Sequence, residues 1–279
     1  MAGQHNLIKS NDTVLPVEGW HNHPDPSLGN FTPGELALRG ELLAGIADTY
    51  AVYETTMNVL NTDPFVTEPQ PVMTEEAATQ LIESRLTQPV ISDLQVSIKM
   101  AEHDLHKPGF SVLLIPNGRS VGIMAQDRLA RVVQNMVLGD QADPYARPVP
   151  HSKMHERDAA FGDVIVAFAS HHFNVSGDTA AEQQHYINAY NNIPGLVTKL
   201  CPVDDYTASI VMMNLIVRDR YDLETTLHQG DIVKSPDGND QAKLFFIDRD
   251  GSFRRDSRPA GFLAPPSRAL VVPKSSVVQ

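Results

Sequence analysis

Cysteine is almost missing from this chain. Cys201 is the single one in 279 residues, which excludes an intrachain disulfide and any zinc or iron–sulfur site built from several thiolates. It sits in Lys199-Leu200-Cys201-Pro202 with no activating pattern, and reads as a small buried residue. Positive charge is scarce as well. The 22 Lys and Arg stand against 34 Asp and Glu, a net charge of −12, and the basic residues form no dense run. A phosphate backbone would be repelled, so nucleic-acid binding is disfavoured; the same balance argues against an anionic membrane surface.

Long apolar runs are also wanting. The best, Ile210-Val211-Met212-Met213, stops at Asn214, far short of a membrane span. Met1 to Ser10 is polar and lacks the apolar core of a signal peptide. The expectation is a soluble protein made in the cytoplasm, with no membrane partner. Gly-x-Ser-x-Gly, the P-loop and the dinucleotide fingerprint are absent from the sequence.

What is present begins with a helix signal. Thr32-Pro33-Gly34-Glu35 combines a capping hydroxyl, a proline suited to the first helical position and a glutamate three residues after the cap. Leu36, Leu43, Tyr50 and Met57 then recur every seven residues, with Arg39, Ile46, Tyr53 and Leu60 as a second seam. The pattern predicts one amphipathic helix of roughly 40 Å, ending before Pro64. Its glycines weaken it, so it needs packing to persist.

The remaining pattern mixes both periods. Thr13–Trp20 is predicted as a short strand after a polar arm at 1–12. A helix follows Thr74-Glu75-Glu76, with Ala77, Ala78, Leu81, Ile82 and Leu86 facing inward, and stops before Pro89. Leu94, Val96, Ile98 and Met100 alternate as a strand would. Phe110–Ile115 and Ser120–Met124 flank Asn117-Gly118, a hairpin signal. A helix over 126–138, with Leu129, Val132, Val133 and Met136 inward, meets its stop at Gly139. Further on come a strand at 163–168, a helix opened by Thr179 and running to about Asn192, a turn at Pro194-Gly195, and a central strand over Ala208–Val217. A hairpin follows around Asp237-Gly238, a turn at Asp250-Gly251, and a proline-bearing, extended C-terminal tail from Arg254. Without regular βαβ alternation this is an α+β chain of helices and antiparallel hairpins. The polar, proline-bearing stretch 140–161 suggests two regions, 1–140 and 156–279, which can also form one continuous domain.

The sharpest chemical signal is Gly19-Trp20-His21-Asn22-His23-Pro24. Two histidines at i and i+2 of an extended segment point the same way, so both imidazoles can reach one metal ion. The structural alternative is a turn in which these side chains satisfy loop backbone. His-x-His-Pro followed by Thr32-Pro33-Gly34-Glu35 resembles the JAMM/MPN metalloprotease motif over residues 21–35. The resemblance implies zinc held by His21, His23 and Glu35, activating water against an amide or isopeptide bond. The chain departs from that motif by a threonine for its serine, a glutamate for its aspartate, and a very short segment upstream for its catalytic glutamate. A looser echo runs from Ser170-His171-His172 to Ser176-Gly177-Asp178. His171 and Asp178 would also be the later ligands in an amidohydrolase arrangement, which requires a regular barrel. His103 with His106, and His151 with His155, read as solvated surface pairs; Asp248-Arg249-Asp250-Gly251 reads as a turn rather than a calcium loop.

Two functions follow. The first is a non-catalytic structural or scaffold subunit of a larger assembly, of virion, shell or secretion-machine type. It is a homo-oligomer joined by arm, tail and helix contacts to other protein subunits. The second is the zinc-dependent hydrolase implied by the motif.

Overall fold

The computed structural model describes residues 7–10, 13–16, 30–62, 69–100, 109–116, 123–139, 164–171, 187–188, 191–200, 205–219, 226–234, 237–247, 253–259 and 269–273. The fold is mixed α+β, with an antiparallel four-stranded sheet among helices.

Thr32 caps α1 (Pro33–Ala44) as its sequence dictates. Its hydroxyl accepts from the Glu35 N–H, and its own N–H donates to the Glu35 carboxylate. The heptad pattern predicts one unbroken helix, but the chain makes two, with α2 (Ile46–Asn61) starting after a break at Gly45. Ile46, Tyr53 and Leu60 of the second seam are buried, together with Leu38, Leu42, Val52 and Met57. Leu36, Leu43 and Tyr50 are half-buried. Asn61 ends α2 and clasps the returning chain, donating to the Gln70 carbonyl at 2.8 Å and accepting from the Gln70 N–H at 2.9 Å.

Thr74 caps α3 (Glu75–Arg85), which buries Ala78 and Ile82, with Leu86 just beyond its end; Ala77 is exposed. The strand expected over 94–100 is instead helix α4 (Gln88–Met100). Pro89 opens this helix, because a first-turn residue needs no intrahelical N–H. Val90, Ile91, Leu94 and Ser97 are buried while Val96 is 44% exposed, which is the helical period and not the alternating one. The apparent alternation came from Ile98 and Val96 being apolar for different reasons, one packed and one exposed.

The hairpin expected at Asn117-Gly118 does not form between its two flanks. Strand β3 (Phe110–Pro116) pairs antiparallel with β4 (Val164–Ser170), and Ile123–Met124 begin helix α5 (Ile123–Leu138). β3 is buried along nearly its whole length, so it needs a partner equally apolar on both faces, which β4 supplies through Val166–Ala169. α5 buries Leu129 and Val133, leaves Met136 36% exposed, and stops at Gly139 with φ +54°. Residues 117–122, which include the turn and the first part of its second flank, lie outside the described set.

The largest correction is Ala208–Val217. It is not a central strand but helix α6 (Asp205–Val217). Every residue from Thr207 to Leu215 is buried. A helix enclosed on all sides carries no amphipathic signature, so only its length separates it from a buried strand.

The central sheet runs β3-β4-β9-β5, all antiparallel, with β5 at Leu196–Leu200 and β9 at Ala269–Pro273. The expected C-terminal tail is therefore corrected over 269–273, where Leu270, Val271 and Val272 are buried as an inner strand. Pro194-Gly195 turns into β5, with Gly195 at φ +79°. α2 and α6 pack on β3, and the Thr49 hydroxyl donates to the outer-edge carbonyl of Val112 at 2.9 Å. That bond covers an edge that would otherwise expose backbone groups. β3 comes from the first expected region, while β4, β5 and β9 come from the second; α2, α5 and α6 share their core.

A second sheet, β6 (Thr226–Lys234), β7 (Asp240–Ile247) and β8 (Phe253–Pro259), contains the expected hairpin, with Gly238 at φ +81°. β8 follows β7 back, as Asp250-Gly251 suggests, although those two residues lie outside the described set. At the N-terminus β1 (Leu7–Ser10) pairs with β2 (Thr13–Pro16), so the arm contains a short hairpin. Of the helix expected to reach Asn192, Ile187 and Asn188 are described and helical.

Candidate functional site

Three residues carry the metal expectation, and one of them is described. Glu35 is only 3% exposed at the start of α1. Its Oε2 accepts from the Thr32 N–H at 2.6 Å and its Oε1 from Gln88 Nε2 on α4 at 3.2 Å. The Thr32 N–H bond holds its pKa below the usual carboxylate value against the upward push of burial, helped by the Thr32, Ser92 and Gln88 side chains. This carboxylate joins α1 to α4. His21 and His23 lie outside the described residues, as do Asp178, His103, His106, His151, His155 and Asp248. Among the described residues no group of three or more His, Cys, Asp or Glu side chains could hold a metal ion.

The structure brings together a pair that the sequence motifs miss. Ser111 on β3 and His171, just past β4, are diagonal neighbours on one face of the sheet. The Ser111 Oγ lies 2.5 Å from His171 Nε2, with Ser111 fully buried and His171 9% exposed. The His171 N–H donates to the Gly109 carbonyl at 2.9 Å. Gly109 sits opposite the imidazole, and a Cβ there would lie 3.2 Å from His171 Nδ1 and 3.8 Å from the Glu41 carboxylate. A side chain at 109 would press on the ring, which would have to shift slightly.

A hydroxyl on an imidazole nitrogen is the contact that a nucleophile and its base also make. Here the serine has no exposed surface, so no substrate reaches its oxygen in this conformation. The pair acts as a polar crosslink between β3 and the end of β4. His171 belongs to the Ser170-His171-His172 echo, but Ser111 is announced only by being the one hydroxyl in an otherwise apolar strand, Phe110–Pro116.

The described charges are unevenly spread. On α1, α2 and α3 the carboxylates of Glu41, Asp48, Glu54, Glu75, Glu76 and Glu83 are exposed, while Arg39 and Arg85 are half-buried. Burial raises the Tyr50 pKa, and the charges of Glu54, Glu75 and Glu76 push it the same way. β8, one of the two outer strands of the second sheet, contains Arg254, Arg255 and Arg258 with Asp256 among them. No helix among the described residues is long and apolar enough to cross a membrane. No protein-family model, curated protein or solved structure matches this chain.

Proposed function

We propose that this chain is a non-catalytic structural or scaffold subunit of a larger protein assembly, of the virion, shell or secretion-machine kind, built from copies of itself. The observation that carries the reading is the uneven spread of charge. The exposed charge of α1, α2 and α3 is acidic, whereas β8 holds three arginines to one aspartate. Within one molecule such separation gives little, since exposed pairs contribute at most about 1 kcal/mol each. Between copies it gives orientation and encounter rate, because opposite patches attract while like faces repel. The N-terminal hairpin arm and the residues beyond β9 are further contact elements in this reading. The use of Glu35 as a cap and as a tie to Gln88 also favours a structural role for the 32–35 segment.

Native mass measurement and light scattering at micromolar concentration test the proposal at low and high salt. The expected result is a defined oligomer that dissociates as salt screens the opposed patches. A monomer under every condition would overturn it. The zinc hydrolase reading requires Glu35 to give up its present donors, and it takes over if elemental analysis of untagged protein finds stoichiometric zinc that is lost in His21→Ala.

A further inference from the structure

The chain between α2 and α3 is held by side chains of α2 through its backbone. Asn61 binds both polar groups of Gln70, its N–H and its carbonyl. The Tyr50 hydroxyl donates to the Met73 carbonyl at 3.0 Å, and the Tyr53 hydroxyl accepts from the Met73 N–H at 3.3 Å. A residue turns its N–H and C=O to one side when it is extended. Gln70 and Met73 both do so toward α2, and they are three residues apart. In a β-strand the shared side recurs every second residue, whereas a recurrence of three is the period of polyproline II. The sequence agrees. Pro69 and Pro71 hold φ at about −65°, and the proline after Gln70 keeps that residue extended.

With the 70 and 73 edge of this left-handed helix on α2, the prolines lie on the other two. Pro69 and Pro71 are exposed, while Val72 is half-buried against the core. We propose that 69–73 is a recognition segment, ordered in advance by α2, for a partner domain that reads polyproline II through an aromatic-lined groove. Such grooves pack proline rings on aromatic side chains and favour a ligand that is already extended. All four hydrogen bonds from α2 go to backbone, so the ring faces stay available, and the ordering cost that a free peptide bears on binding is reduced. Glu75 and Glu76, exposed at the start of α3, put negative charge beside the segment, so the fitting groove has a basic rim. The partner is a different protein, and the inference stands whether or not copies of this chain assemble.

Purified WW and SH3 domains, titrated into the isotope-labelled chain at low salt and followed by amide shifts in NMR, test this. The expected result is saturable binding by at least one domain, with shifts centred on Gln70, Val72 and Met73. Binding is lost when Pro69→Ala and Pro71→Ala are combined. It weakens by about two- to ten-fold in Asn61→Ala, which releases Gln70 and keeps both prolines. No binding across the panel, binding that survives the double proline change, unchanged affinity in Asn61→Ala, or shifts centred elsewhere overturns the proposal. So does the same shift pattern on concentrating the chain alone, which would make a second copy the occupant. Should the double proline variant not fold, a free peptide of residues 69–73 must displace the wild-type chain from the domain, and its failure to do so has the same force.

Discussion

Ser111 and His171 meet across two strands with 2.5 Å between hydroxyl oxygen and ring nitrogen, both buried. Removing one partner of a buried hydrogen bond costs more than the bond contributes, because the other is left desolvated. Ser111→Ala is therefore expected to lower stability by about 1–3 kcal/mol in urea denaturation. Adding His171→Phe to that variant should recover part of the loss, since an apolar pair leaves no polar atom unmet. A neutral Ser111→Ala would mean that the contact ties nothing together.

The acid limb of stability should depend on Glu35. Its folded pKa lies below the ordinary 4.5, so the folded state favours the charged form. The sign follows: its contribution is complete above the unfolded value and is lost as pH falls through the lower folded one. Glu35→Gln keeps an acceptor but no charge. The wild-type advantage over it should be roughly 1 kcal/mol at neutral pH, the usual size of a cap. It should shrink below about pH 4.5, as read from denaturation midpoints across pH. A constant gap would place the effect elsewhere.

The parts of the fold that were legible in the sequence are those where one face meets water. Thr32 and Thr74 announced their helices because capping is a local bond between neighbouring residues. Asp237-Gly238 announced its hairpin because a positive φ asks for glycine. Where both faces are covered, periodicity vanishes, and α6 looked like a strand. The Asn117-Gly118 signal misled because β3 found its partner in β4, far along the chain. The contact of Arg218 with Gly45 is invisible for the same reason, because it joins residues far apart in the sequence. At the candidate site, Glu35 was found through its cap, whereas Ser111 and His171 meet only through strand register. His21 and His23 fall outside the described residues.

Alkaline stability should report on Tyr53. It is 2% exposed, and its hydroxyl accepts from the Met73 N–H at 3.3 Å. Burial raises its pKa, partly offset by that Met73 bond. The neutral phenol is the form the fold prefers, so its contribution is complete below about pH 10 and is lost as pH rises through the folded value. Tyr53→Phe should cost about 0.5–1.5 kcal/mol near neutrality and make unfolding above pH 10 less steep. Absorbance titration of tyrosinate, compared with the denaturation curve, checks both.

Asn214 offers the opposite test, a substitution expected to stabilise. It is fully buried on α6, and neither Oδ1 nor Nδ2 has a hydrogen-bond partner. An unmet buried amide costs on the order of 1–3 kcal/mol, and α6 is apolar on either side of it, at Met213 and Leu215. Leucine has nearly the same shape and no polar atom to desolvate, and it forms helix better than asparagine. Asn214→Leu should therefore raise the urea midpoint with an unchanged denaturant slope, the signature of a stability change without altered compactness. Asn214→Ala separates the two contributions, since it removes the unmet amide but leaves a void that itself destabilises. Its stability should fall below that of Asn214→Leu. If both variants are less stable than wild type, the amide has a partner in solution, and the α6 core is more polar than its residues imply.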